Sequence, residues 1–433
     1  MAARSPRRRP AVQLRPLAII PWPMGAVETA ADLAAFAGRG AGTDAERRAA
    51  GWLAGQLAAG GRKARLETFW CRPNWAMTYA WHTALALAGG LVSVSSPGLG
   101  TALLALALLS VLADALTGHS LGRRLTPERA SQNVVGQAQP TDPRGEPRLR
   151  LLVTANYDAG RTGLVYRRLP RTLAARISRA TRGACPGWVG WLVIAQIWLL
   201  ASAIVRLGGT HGTTLGVVQL PALIALVLIL AALLELAAAQ FGPAASDNAS
   251  GVAVALALGR ALDVAPARHL TVDLVLQGAG DGTGIGLRRH LRVHRRPRPS
   301  GGVAVLGLGP CGAGAVHWWV SDGSLLPLRY SRGLREQISR VADSQAEPSP
   351  RPHRGRGAMP ALPARVAGLS AIALGCLDRT GLAPRSHLAG DTPELLDPAA
   401  MDAALGAALM LVDALDAELG RARGEGRGRL TPA

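Results

Sequence analysis

The chain has 433 residues, long enough for one large domain or two ordinary ones. Hydrophobic residues make up 49% and aromatics only 4%, a profile that suits helices and apolar spans better than a β-sandwich. The net charge of +20 is almost wholly arginine, with Lys63 the single lysine; the arginines are scattered or flank apolar runs without interleaved aromatics, which argues against nucleic acid as a partner. The four cysteines, Cys71, Cys185, Cys311 and Cys376, are far apart and form neither a zinc spacing nor a disulfide framework.

Residues 1–25 form a basic, proline-rich leader whose apolar stretch is broken by Pro21 and Pro23, unlike a signal peptide. Helices are expected over 28–37 and 44–59, the second capped by Thr43 or Asp44 and stopped by Gly60-Gly61, followed by a strand over 64–69. Two pairs of apolar runs come next: 80–94 with 101–116, and 188–205 with 215–236. These approach or reach the roughly 20 residues needed to cross hydrocarbon. The other reading of each pair is a very apolar helical hairpin buried in a soluble domain. Asp114 and Glu235 sit near run ends, where a carboxylate can reach an interface. Arginines crowd the outer flanks (Arg62, Arg65, Arg72, Arg123, Arg124 and Arg167 to Arg182), while the two hairpin tips carry only Arg206. That asymmetry predicts a cell-membrane protein with tips outside and the rest cytosolic, next to anionic headgroups.

The remainder alternates. Strands are expected over 151–155, 270–276, 303–308, 316–320 and 370–374, with helices over 251–262 and 399–419 and a mobile loop over 341–360. Such alternation predicts an α/β sheet with its chemistry at the carboxyl ends of strands. The loop Ser246-Asp247-Asn248-Ala249-Ser250-Gly251 opens onto the first of these helices. Asn248 or Ser250 is a candidate cap, and Asp247 is a helix-start charge, a general base or a metal ligand.

Five segments occur in order: Gly38-Arg39-Gly40-Ala41-Gly42-Thr43, Ser131 to Gly136, Ala155-Asn156-Tyr157-Asp158, Ser246 to Gly251, and His387-Leu388-Ala389-Gly390-Asp391-Thr392. Together they resemble the zinc aminopeptidase family, metallopeptidase family twenty-eight. The resemblance covers 26–75, 130–162 and 241–420, and makes insertions of the hairpins at 78–118 and 186–240; the tails are 1–25 and 421–433. It implies a mixed, mainly parallel sheet flanked by helices.

In active relatives an aspartate bridges two zinc ions, and Asp247 matches it. One ion adds Asp281 and His387. For the other, Asn156 and Gly307 stand at the ligand positions, and Gly280 stands where the general base belongs. A register one residue away makes Asp281 the base and puts Gly282 at the ligand position. Asp158, two residues after the strand-end Asn156, is expected to brace position 156 by hydrogen bonding, the other reading being a surface acid. The resemblance therefore implies one zinc ion at most and a domain without its ordinary base. The alternatives are an active metal-dependent aminopeptidase or amide hydrolase, and a membrane scaffold that binds a partner. The bilayer is the expected partner, with a peptide as a possible ligand. His290, His317 and His353 read as surface or packing residues.

Overall fold

The computed structural model describes residues 25–138, 148–181, 183–210, 212–294, 302–344 and 349–424, so all but the last residue of the 1–25 leader and most of the 421–433 tail lie outside the described residues. First come α1 (Ala26–Ala34), α2 (Asp44–Ala59), β1 (Lys63–Cys71), α3 (Trp75–Ser95), α4 (Pro97–Thr117) and the short α5 (Leu121–Arg124). β2 (Arg129–Gln137) and β3 (Leu149–Asn156) precede α6 (Arg168–Ala180), α7 (Trp188–Leu207) and α8 (Thr213–Ala238). Next are α9 (Ser250–Val264), β4 (Leu270–Gln277), α10 (Ile285–Val293), β5 (Val303–Leu308), β6 (Ala315–Asp322) and β7 (Leu328–Arg329). Last are α11 (Arg332–Asp343), β8 (Arg351–Arg354), α12 (Leu362–Val366), β9 (Ser370–Leu377) and α13 (Pro398–Gly424).

The nine strands among the described residues join one sheet in the order β1-β2-β4-β3-β5-β9-β6-β7, with β8 added beside β6. Its centre, β4-β3-β5-β9, is parallel, and antiparallel pairings flank it. The sheet is thus evenly mixed rather than mainly parallel. The central strands are near-continuous apolar runs because helices cover both faces. One face packs on α1, α2, α9, α11 and α13 through residues such as Leu53, Leu256, Ile338 and Leu411. The other, including Val275, Val305 and Ala373, packs on Leu287 of α10 and Ala364 of α12. The 341–360 stretch is not simply a loop: it holds the end of α11 and β8, whose backbone pairs with β6, while 345–348 lie outside the described residues.

α3 and α4 are inserted between β1 and β2, and α7 and α8 between β3 and α9. The four pack on one another around a separate core that includes Leu104, Val111, Leu192, Leu199 and Leu226. Their outward faces stay apolar, with Leu109 and Leu228 each 66% exposed. Among the described residues, four helices are long and apolar enough to cross a membrane: α4, α7, α8 and Pro398–Arg421 of α13. α3 is not among them, and α13 spends its apolar face inside the α/β core. Arg206 does not sit in a hairpin tip. It belongs to the last turn of α7, is buried, and donates to Gln219 at 2.9 Å. Asp114 is likewise buried, in a two-bond pair with Arg123 at 2.8 Å.

Candidate metal centre

β3 runs parallel to β4 on one side and β5 on the other, so their carboxyl ends open a crevice where the strand order reverses. Asp247 enters it from a π-helical turn, Ala245–Ala249, that runs straight into α9. The extra residue of such a turn re-aims side chains, a device frequent at functional sites. Neither expected cap acts as one. Asn248 Nδ2 donates to the Asp158 carbonyl at 2.7 Å, and Ser250 Oγ bonds back to the Ser246 carbonyl at 2.8 Å. Gly251 is required because any Cβ there would strike the Gly309 carbonyl at the end of β5. The turn is held by Asp391, fully buried, which accepts the amides of Ser246 and Asp247 at 3.1 and 3.2 Å and the Ser246 hydroxyl.

His387 arrives on a loop in which it and Arg385 both take left-handed backbone angles, φ 59° and 58°, unfavourable for residues with a Cβ. Its Nδ1 lies 3.0 Å from the Arg161 carbonyl, so that nitrogen carries the proton and the Nε2 lone pair faces the crevice. Nε2 is 3.9 Å from Asp247 Oδ2 and 3.8 Å from Asp281 Oδ1. Tyr166 stacks on the ring at 4.3 Å, and Ser386 donates to Asp247 at 2.6 Å. Burial works against a charged ring, yet Asp281 and Asp247 outweigh it and raise the histidine's pKa. Burial, aided by Asp247, raises the pKa of Asp281.

Asp158 is buried, and its carboxylate bonds to the 280–281 loop rather than to the side chain at position 156. Its carboxylate accepts the Gly280 amide at 2.9 Å and the Asp281 amide at 3.2 Å, so it braces the loop that carries Asp281. Burial, then the charges of Glu46 and Asp281, raise its pKa well above the usual carboxylate range. Two residues not singled out in the sequence complete the support. Glu46 of α2 is buried and accepts the Gly42 and Ala279 amides at 2.6 and 3.0 Å and the Ser131 hydroxyl at 2.8 Å. Arg39 is fully buried and donates to the carbonyls of Tyr157, Pro243 and Ala244 at 3.0, 2.5 and 3.0 Å. A cavity of about 330 Å³, lined by Asp158, Asp281, Arg129, Arg161, Trp75 and Phe241 among others, opens beside the carboxylates.

The other side of the crevice differs. Asn156 Oδ1 is buried without a hydrogen-bond partner, and a Cβ at Gly280 would collide with it. A Cβ at Gly307 would lie 2.5 Å from the Ala361 amide nitrogen. At Gly282 a Cβ would meet the Trp75 indole at 2.5 Å, and it is Asp281 that lies beside His387. No second imidazole or carboxylate is available at Asn156, Gly280 or Gly307, so these positions do not fit a second ion. Asp247, Asp281 and His387 supply two oxygens and one nitrogen, a set suited to zinc. Two ligands sharing an ion at about 2.1 Å can stand no more than about 4.2 Å apart. Both distances to Nε2 meet that limit. Among the described residues the trio is not one of the groups whose ligand atoms all fall within 4.8 Å of one another.

No protein-family model matches this chain, and no curated protein matches it. Solved structures do. A zinc aminopeptidase from Bacillus subtilis superposes with a TM-score of 0.50 at 14% identity, covering 91% of this chain and 94% of its own. A leucine aminopeptidase precursor from Bacteroides thetaiotaomicron gives 0.48 at 13% identity over 90% of this chain and 95% of its own. A glutaminyl cyclase from Tannerella forsythia gives 0.49 at 14% over 90% and 97%. The chain therefore has an aminopeptidase-like fold, a mixed sheet flanked by helices, and at these identities the likeness is one of fold alone.

Proposed function

We propose that this chain is an integral membrane protein whose α/β domain keeps one zinc site of the aminopeptidase type and lacks ordinary peptidase machinery. The observation that carries this reading is the asymmetry of the crevice. Asp247 and Asp281 face the free nitrogen of His387, whereas the opposite side offers an amide oxygen and two glycines whose Cβ directions are blocked. A zinc ion held by the trio would supply a Lewis acid to a bound carbonyl or water. Hydrolysis also needs a group to take the proton from water, and Gly280 cannot do that. Asn156 fills the space a longer side chain at 280 would need.

The membrane part rests on the outward apolar faces of α4, α7 and α8 and on α6; α3, 21 residues long and packed on α4 and α8, crosses with them, because β1 and β2, which α3 and α4 join, pair in one sheet. Leu169, Leu173 and Ile177 lie four residues apart on α6, with Leu169 81% exposed, and Arg168, Arg171, Arg176 and Arg179 share the helix. That combination suits a helix lying in an anionic interface. The tips at Gly98 and Gly209 face outside and the sheet domain faces the cytosol. In a Cys185→Ser background, cysteines at Gly98 and Gly209 should be labelled by an impermeant thiol reagent on intact cells, and one at Gly333 should not. Labelling at Gly333 overturns the sidedness.

Zinc-loaded protein should release no amino acid from peptides with free N-termini above the level of a His387→Ala variant. Release that His387→Ala abolishes would make the domain an active hydrolase instead.

A further inference from the structure

A second cluster of metal-type ligands lies on the outer edge of the sheet, away from the crevice. β1 is an edge strand paired with β2, and α10 packs across both. Glu67 projects from β1. His290 and His294 are one turn apart at the carboxyl end of α10, so they share a face. His290 Nδ1 is 2.8 Å from Glu67 Oε2, His294 Nε2 is 3.5 Å from Glu67 Oε1, and the two rings are 4.4 Å apart. One ligand atom from each residue falls within 4.8 Å of the others, the spacing the crevice trio lacks.

Three further observations bear on what the cluster holds. His294 Nδ1 lies 3.0 Å from the His290 carbonyl, which places its proton there and turns the Nε2 lone pair toward Glu67. Glu67 Oε1 is buried and meets ion-pair contacts from Arg65 and His294 without hydrogen-bond geometry to either. A cation already stands at this spot: Arg65 Nη2 is 2.8 Å from Glu67 Oε1 and 3.0 Å from His294 Nε2. The Arg65 side chain is 40% exposed and can swing into solvent.

We infer that Glu67, His290 and His294 form a zinc site that clips the edge strand β1 to the carboxyl end of α10, with Arg65 holding the place of the ion until it binds. Two imidazoles and one carboxylate favour zinc over calcium or magnesium, which prefer all-oxygen sets. When the ion binds, His290 Nδ1 gives up its proton, which moves to Nε2 or to solvent, and the Arg65 ion pair opens. The site is independent of the crevice.

The test is titration of detergent-purified full-length His387→Ala protein with zinc, and with cobalt(II) as a spectroscopic probe, so that the crevice cannot answer for the cluster. One ion per chain should bind, with cobalt absorption typical of low coordination number, and zinc should raise the unfolding temperature. His294→Ala, at a part-exposed position that folding tolerates, should weaken binding by at least about tenfold, and Glu67→Gln should do the same. Arg65→Ala should tighten binding, because it removes the competing cation. Wild-type-like binding in both His294→Ala and Glu67→Gln overturns the site. So does weaker binding in Arg65→Ala, or no binding by the parent.

Discussion

Replacing Arg39 with alanine should lower the stability of the sheet domain by about 3–5 kcal/mol, a fall of roughly 10 °C in the unfolding temperature of detergent-purified protein. The side chain is fully buried, and its three nitrogens each meet a backbone carbonyl. Truncation leaves the Tyr157, Pro243 and Ala244 carbonyls buried without partners, at a cost of about 1–3 kcal/mol for each that water cannot reach. It also removes a buried positive charge that interacts with Asp158, Asp247 and Asp391. Burial brings the guanidinium's pKa down to about 10, against the pull of Asp158, Asp247 and Asp391, so it stays charged at neutral pH. Arg39→Lys keeps the charge but can serve fewer of the three carbonyls, and should recover only part of the loss. An unfolding temperature within 2 °C or so of wild type in Arg39→Ala would remove this residue from the account.

The second large effect is a pH dependence. Burial lifts the Glu46 carboxyl from 4.5 to about 7, against three hydrogen bonds that favour its charged form. In the unfolded chain the group titrates near its ordinary value. Between these pH values the folded chain holds a proton that the unfolded chain has lost, so raising the pH favours unfolding. The stabilisation is fully present below about pH 4.5 and is lost as pH rises through about 7, by about 3 kcal/mol. Asp158, raised by burial and by Glu46, acts in the same direction. Urea unfolding at pH 5, 6 and 7 should show this decline, and Glu46→Gln should flatten most of it. Stability that rises across the window, or an unchanged slope in Glu46→Gln, would contradict this.

The strands at the centre of the sheet were legible because fully buried parallel strands write themselves as apolar runs, as in β3 and β5. The start of α2 was legible because Thr43 does accept the Glu46 amide at 3.1 Å. Other features were hidden by the same rules. Thr43-x-x-Glu46 has the form of a capping box, in which the glutamate reaches back to the cap's own amide. Here Glu46 bonds to Gly42 instead and turns inward under Ala279, which no local pattern signals. α10 was missed because its arginines mask a short amphipathic helix, and with it went the pairing of His290 and His294. The apolar runs announced four bundle helices, with α3 the least apolar of them, but composition could not show that Arg206 turns inward. Asn156 and Gly280 were visible as departures from the family pattern. That they press on each other is a fact of the crevice alone.

Zinc counting on purified variants tests the central claim most directly. With His294→Ala as the background, so that the edge cluster is disabled, the detergent-purified chain should carry one zinc ion. Adding His387→Ala should remove it, and adding Asn156→Ala should leave it in place. Two ions per chain on that background, or equal loss in the His387 and Asn156 variants, would contradict the one-site crevice.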